Sequence, residues 1–431
     1  MSLQEVLSTI PWILICLILI HRLGVCKTEQ IRPSYIAMIF TFKILGTFIL
    51  QALYTFHYRD RSTADIYRFF DDGILFNRIA RSSPTDFFKI LFNYYDVSDG
   101  FRTKYFEQMN TWIKPFDSGL YNDNILMIKL NGLLTFLSNG SYEVHSVILS
   151  TAAMIGIILM IKSLLKRSRQ MQWALFLVTM LPSSLLLISG GLKETVLMFG
   201  AGSLFYSWMS ISQGQARDKS AIIFGLIGLA VCLNIKPYFL ASIFPAFIAF
   251  MIIRKTKIID YAFTLVCLSI FLVMYALAYS GGVDILASII RKQSEFINHS
   301  AETNPGSLIQ LYPITKDWTS WLPAIPNALF NALARPLPWE ITSAPLMLMF
   351  AENLLIAWLV VKSLTHRIRF GTDSSNFTFI SLCIIPGLIL IGLISPVLGA
   401  TMRYRAPFLL LLLISLTPYL TSPPSDENET T

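Results

Sequence analysis

Charge is what this chain has little of. Only 14% of its 431 residues are charged, against roughly 25% in soluble globular domains. Histidine and cysteine are equally sparse, five of each. Cys16, Cys26, Cys232, Cys267 and Cys383 mostly lie within or beside apolar segments with no paired spacing, which argues against a disulfide framework and a zinc site. His21, His57, His145, His299 and His366 are scattered without ligand spacing, so no metal site is expected. A P-loop, a dinucleotide fingerprint and a nucleophile elbow in strand context are all missing, and no cofactor motif is recognisable. Alternating ten-residue strands of an outer-membrane barrel are missing too.

What the chain has is apolar length. Hydrophobic residues make up 54% of it and aromatic residues 13%, and stretches of about 20 apolar residues recur from end to end. The expected fold is all-α, a polytopic transmembrane helical bundle of about eleven spans. The spans are placed near 5–21, 34–56, 143–162, 173–189, 193–212, 221–236, 238–253, 258–280, 345–361, 377–397 and 404–420. The N-terminal stretch "MSLQEVLSTIPWILICLILIHRLG" reads as a retained span, because it lacks a basic leader and a small-residue cleavage site. Residues 1–421 are expected to form a single integral membrane domain, and "TSPPSDENETT" to close it as a short disordered polar tail, with 422–431 outside the domain.

The net charge of +8 matters less than its distribution. With these spans, the basic connections "HRLGVCKTEQIR", "KSLLKRSRQ", "QGQARDKS", "RKTK" and "KSLTHRIRFG" all fall on one side, which the positive-inside rule makes the cytoplasm. The N-terminus is then outside and the C-terminus cytoplasmic. Two long loops, about 57–142 and 281–344, protrude on the outer face; connections of that length usually carry function. "SPTDFFKILFNYYD" and "NDNILMIKLNGLLTFL" in the first are amphipathic enough to lie in the interface. No nucleic-acid partner is expected.

The outer face also collects charges that the positive-inside rule does not explain. Lys193 and Glu194 follow Gly190 and Gly191 between two spans, in "LPSSLLLISGGLKETVLMFG". Lys236 stands in "NIKPYF", Arg335 and Glu340 in "NALARPLPWE", and Arg403 and Arg405 in "ATMRYRAP". Asp60, Asp65, Asp71 and Asp72 follow the second span in "HYRDRSTADIYRFFDDG". A charge beside hydrocarbon is costly without a partner or a watery cavity. Five cations near several carboxylates on one face predict a shared polar cavity for an anion such as phosphate or pyrophosphate. A rim carboxylate there could serve as a general base. The plain alternatives are a helix cap for Lys193 and Glu194, snorkelling for Arg403 and Arg405, and a solvated helix face for Asp65, Arg68 and Asp72. Lys43 and Glu352, inside spans, read as polar groups that pack helices by pairing with each other or with backbone.

The order of "ADIYRFF" in a long outer loop, "LPSSLLLISGGLKE", a late "RPLPWE" and a final "RYRAPFLLLLL" resembles bacterial polytopic envelope proteins of the C-type, lipid-phosphate-dependent glycosyltransferase kind. It is also similar to the polymerases that join polysaccharide repeat units. The resemblance implies a polyprenyl-phosphate-linked sugar or oligosaccharide as substrate, at the outer face of the bacterial inner membrane. It implies Asp65 as the leading base, with Asp71 and Asp72 behind it, and Lys193, Arg335, Arg403 and Arg405 on the lipid-linked phosphate. The chain departs from that pattern in carrying an extra span before the acidic loop and in spreading its acids over several positions. A flippase for lipid-linked glycans is the competing expectation, but a transporter is expected to show mid-membrane charges and an internal repeat. A scaffold role in an envelope complex is the third.

Overall fold

The computed structural model describes residues 3–23, 31–57, 61, 64–95, 100–113, 122–214, 218–256, 265–266, 268–270, 272–273, 276, 284–303, 305–370 and 375–421. Asp60, most of the span expected over 258–280, and the tail over 422–431 lie outside the described residues. Among the described residues the chain is helical and holds no β-strand; Leu308 and Val397 form an isolated antiparallel bridge.

In chain order the helices used below are α1 (Leu3–Ser8), α2 (Ile10–Arg22), α3 (Pro33–His57), α4 (Asp65–Ser82), α5 (Pro84–Leu91) and α6 (Phe101–Lys104). They continue as α7 (Ile125–Ser138), α8 (Tyr142–Leu164), α9 (Ser168–Met180), α10 (Lys193–Ser212), α11 (Lys219–Ile235) and α12 (Pro237–Thr256). The last are α13 (Ile285–Thr303), α14 (Trp321–Ala334), α15 (Ala344–Phe370), α16 (Ser375–Ile394) and α17 (Leu398–Thr421).

Among the described residues, five helical stretches are long and apolar enough to cross a membrane: Glu5–Arg22, Pro33–Phe56, Tyr142–Leu164, Ala344–His366 and Leu398–Thr421. Their surfaces suit lipid. Leu14, Ile15, Ile18 and Leu19 on α2, and Met347, Leu354, Trp358 and Val361 on α15, are all exposed, a density of uncovered apolar side chains that water-soluble surfaces rarely carry. The stretch expected as one span over 173–189 is instead broken. α9 stops at Met180, Leu181 is extended, and a π-helical turn runs over Ser183–Leu187. The cause is Pro182, whose ring drives the preceding residue out of the helical region. Glu352 Oε2 accepts the Ser183 amide at 2.7 Å, so this buried acid satisfies backbone at the break.

The chain gathers into two compact units. The first comprises Met1–Leu159, Leu185–Leu204 and Ile223–Pro237; the second comprises Met160–Ser184, Phe205–Ile222 and Tyr238–Thr431.

In the first unit α4 is the organising helix. Ile66, Phe69, Phe70, Gly73, Phe76 and Asn77 recur at three- and four-residue spacing and are all buried. It stops at Ser83, whose hydroxyl caps α5 by accepting the Asp86 amide at 3.4 Å. α4 crosses α7 at paired glycines. A Cβ on Gly73 would lie 2.5 Å from Asn131 Cβ, and one on Gly132 would lie 3.1 Å from Gly73 O. Only glycine permits that approach, and Asn77 Nδ2 closes it by donating to Gly132 O at 3.1 Å. An aromatic cluster covers the pair, with Phe76 stacked on Phe87 at 4.7 Å and Phe106 on Trp112 at 4.5 Å.

In the second unit Ile314, Ala324, Ala328, Leu393 and Ile394 form a core shared by α14 and α16. Gln293 of α13 pins the adjoining chain. Its Nε2 donates to Tyr312 O at 3.0 Å and Leu393 O at 2.7 Å, and its Oε1 accepts from the Ile314 amide at 3.0 Å.

Candidate functional site

The three candidate base aspartates sit on α4 but do not share a face. Asp65, Phe69 and Asp72 follow at spacings of four and three and line one side; Asp71, four residues after Tyr67, lies on the other. Asp71 receives a bidentate contact from Arg61, with Nε and Nη2 both at 2.9 Å. The guanidinium also lies 4.1 Å from the centre of the Tyr67 ring.

Asp72 belongs to no solvated face, for it is fully buried. Its Oδ1 accepts from the Asn110 amide at 2.7 Å and from Asn110 Nδ2 at 3.0 Å. Its Oδ2 accepts from the Thr111 amide at 2.8 Å and the Thr111 hydroxyl at 2.5 Å. A carboxylate has about four acceptor positions, and these contacts take up all of them. Asp72 is therefore a fastening for the 110–111 segment rather than an acceptor facing a substrate.

That fastening carries further. Thr111 O accepts Asn122 Nδ2 and Asn124 Nδ2, each at 3.1 Å, and Trp112 O accepts Asn122 Nδ2 at 2.7 Å. Between these two anchored asparagines stands Asp123, whose Oδ2 meets Lys193 Nζ at 2.8 Å. The Lys193 ammonium also lies 5.3 Å from the centre of the Phe69 ring, one turn along α4 from Asp65.

Lys193 opens α10, and the turn before it is held tightly. Gly190 adopts φ +59°, the left-handed region that glycine enters without strain. Its amide donates to Ser150 Oγ at 2.8 Å, and Ser150 shares a 2.8 Å bond with Thr47. A Cβ on Gly191 would lie 3.2 Å from Tyr142 Oη and 3.3 Å from Ile66 O. The turn thus abuts the first turn of α4, where Asp65 is the opening residue. Glu194, almost fully buried, faces Lys236, with Nζ 3.9 Å from Oε1. One end of the first unit therefore brings Asp123, Glu194, Lys193 and Lys236 to the start of a twenty-residue helix, beside the first turn of α4 that Asp65 opens.

The other candidates belong to the second unit. Arg405 is buried, with Nη1 donating to Ala332 O at 2.7 Å and Arg335 O at 3.0 Å, and Nη2 to Asn353 Oδ1 at 2.6 Å. The first two are main-chain carbonyls at the end of α14, which a helix leaves unsatisfied, so Arg405 braces that terminus. Asn353 Nδ2 adds bonds to Ala334 O at 3.2 Å and Arg335 O at 2.9 Å. Arg335 pairs with Glu340, whose Oε2 also takes the Leu337 amide at 2.7 Å. Arg403, half-buried, has its guanidinium 5.3 Å from the Tyr404 ring. Arg335 and Arg405 are thus committed in part to local bonds, where sequence reasoning expected forks turned to phosphate.

Asp123 is the residue sequence reasoning missed. The run Asn122-Asp123-Asn124 before an apolar stretch does read as a helix start, but nothing local in it points to Lys193, seventy residues away. Among the described residues no three or more side chains of histidine, cysteine, aspartate or glutamate converge as a metal site. The cluster in the first unit has the components for proton transfer and for charge-assisted hydrogen bonding to an anion. No family model, no curated protein and no solved structure matches the chain.

Proposed function

We propose that the protein is a membrane glycosyltransferase or polysaccharide polymerase that uses a polyprenyl-phosphate-linked sugar donor at the outer face of a bacterial inner membrane. The observation that carries this reading is the junction of the α4 start, bearing Asp65, with the α10 start, bearing Lys193. In the proposed reaction Asp65 takes the proton from an acceptor hydroxyl as its oxygen attacks the anomeric carbon. The bond from that carbon to the phosphate oxygen breaks, and polyprenyl phosphate leaves with the electron pair. Lys193 meets the charge on the leaving phosphate, aided by the positive end of α10. An ammonium has three N–H donors, so Lys193 can hold Asp123 and a phosphate oxygen together.

In this reading the protein crosses the membrane about eleven times, with an outside N-terminus and a cytoplasmic C-terminus. Purified protein supplied with a synthetic polyprenyl-phosphate sugar and an acceptor glycan is expected to form a glycosidic bond and release polyprenyl phosphate. Movement of the glycolipid across a bilayer without bond formation would establish the flippase instead. Cysteine labelling near Arg254 and near Ser294 is expected to report opposite sides of the membrane; the same side for both overturns the topology.

A further inference from the structure

On the opposite face of α4 from Asp65, the first unit forms a half-open cavity of about 600 Å³. That lies within the size range of small-ligand sites, roughly 300–1,000 Å³. Its walls combine two kinds of group. Tyr54, Tyr67, Phe70 and Tyr142 supply aromatic surface, and Tyr67 and Phe70 pack against Tyr142 at 4.9 and 5.4 Å between ring centres. Gln51 and Glu143 supply the polar side, joined by a 2.7 Å bond from Gln51 Nε2 to Glu143 Oε1.

Gln51 is the unusual member. It is 3% exposed, yet its buried Oε1 has no hydrogen-bond partner among the described residues. A buried acceptor left unpaired is destabilising, and in a cavity wall a ligand hydroxyl or amide can remove that cost. The charge balance narrows the ligand. Among the described residues of the lining, Glu5 and Glu143 are the carboxylates, and the one guanidinium, Arg61, is already matched by Asp71. The lining is therefore net negative and disfavours phosphate or an acidic sugar.

We infer that this cavity binds a sugar bearing no acidic substituent, neutral or amino-substituted, with its apolar ring face on the tyrosines and a hydroxyl or amide donating to Gln51. Tyr142 ties the cavity to the junction described above, since its ring lines the cavity and its hydroxyl approaches Gly191. The assignment of this sugar as the glycosyl acceptor rests on the proposed transferase activity; the binding of the sugar does not.

The test is saturation-transfer NMR on the purified full chain, titrated with the methyl glycosides of N-acetylglucosamine, glucosamine and glucuronate. Saturation is expected to reach at least one of the first two and not the glucuronate. Gln51→Leu is expected to weaken that binding by roughly 2- to 13-fold, the loss of one neutral hydrogen bond. Tyr54→Ala, which leaves the Gln51–Glu143 pair in place, is expected to weaken it as well, with both variants checked for an unchanged melting profile. No transfer to any of the three from wild type, equal binding of glucuronate, or wild-type binding by a folded Gln51→Leu and Tyr54→Ala overturns the inference. Sugar binding without glycosidic bond formation would count against the transferase activity alone.

Discussion

Replacing Asp72 separates a fastening from a catalytic base. Its four accepted bonds are unequal in what their loss costs. Asn110 is exposed, so its amide and side chain can turn to water, whereas Thr111 is 4% exposed and cannot. A buried donor left without its acceptor costs about 1–3 kcal/mol. Taking the Thr111 amide and hydroxyl as the two donors so left, Asp72→Ala is expected to destabilise the folded protein by about 2–6 kcal/mol. Asp72→Asn can keep its oxygen on Thr111 and turn its amide toward Asn110, so about 1–2 kcal/mol is expected there. Thermal unfolding in detergent, followed by proteolysis at the 110–113 segment, measures both. The order wild type, asparagine, alanine is expected in melting temperature and in protease resistance. An alanine variant that melts and digests like wild type, yet has lost glycosyl transfer, would refute the fastening role and return Asp72 to the candidates for the base.

Lys193→Ala removes the proposed phosphate contact and is expected to weaken donor binding by about 10- to 150-fold, the range for one charge-assisted bond, measured by titration with the polyprenyl-linked donor. Arg405→Lys keeps the charge but not the three bonds that reach Ala332, Arg335 and Asn353, so it is expected to melt nearly as low as Arg405→Ala. Asp86 responds to pH: the Tyr105 hydroxyl first, then Lys104, hold its carboxyl below the ordinary range. A lowered folded value means that this contribution is present above the unfolded value and is lost as pH falls through the folded one. Amide exchange over Phe101–Gln108 is therefore expected to quicken only below about pH 4.

Much of the helical layout is legible in the sequence because apolar length leaves few alternatives in a membrane. α10 covers the 193–212 stretch expected for it, and α3, α8, α11 and α16 begin and end within three residues of expectation. The 173–189 stretch misled because hydropathy averages over Pro182, while the backbone does not. The α4 aspartates were legible as chemistry but not as geometry. Helical spacing already places Asp71 opposite Asp65 and Asp72, yet the partners that give each its role, Arg61 and Thr111, come from chain segments with no signal in α4. Asp123 was hidden for the same reason, since its importance depends on contact with Lys193. The buried arginine at 405 looked like a phosphate ligand because sequence cannot show that helix carbonyls already occupy it.

The claim at the centre of this account is that Asp65 removes the acceptor proton, and Asp65→Asn tests it. Asparagine keeps the size and polarity of the side chain and loses its basicity, and a positioned general base typically contributes about 10²–10⁴-fold in rate. The measurement is single-turnover sugar transfer from a synthetic polyprenyl-phosphate donor, with donor binding determined on the same preparation. The account predicts transfer slowed by about 10²–10⁴-fold with donor binding unchanged. Turnover near the wild-type rate by the asparagine variant would contradict it.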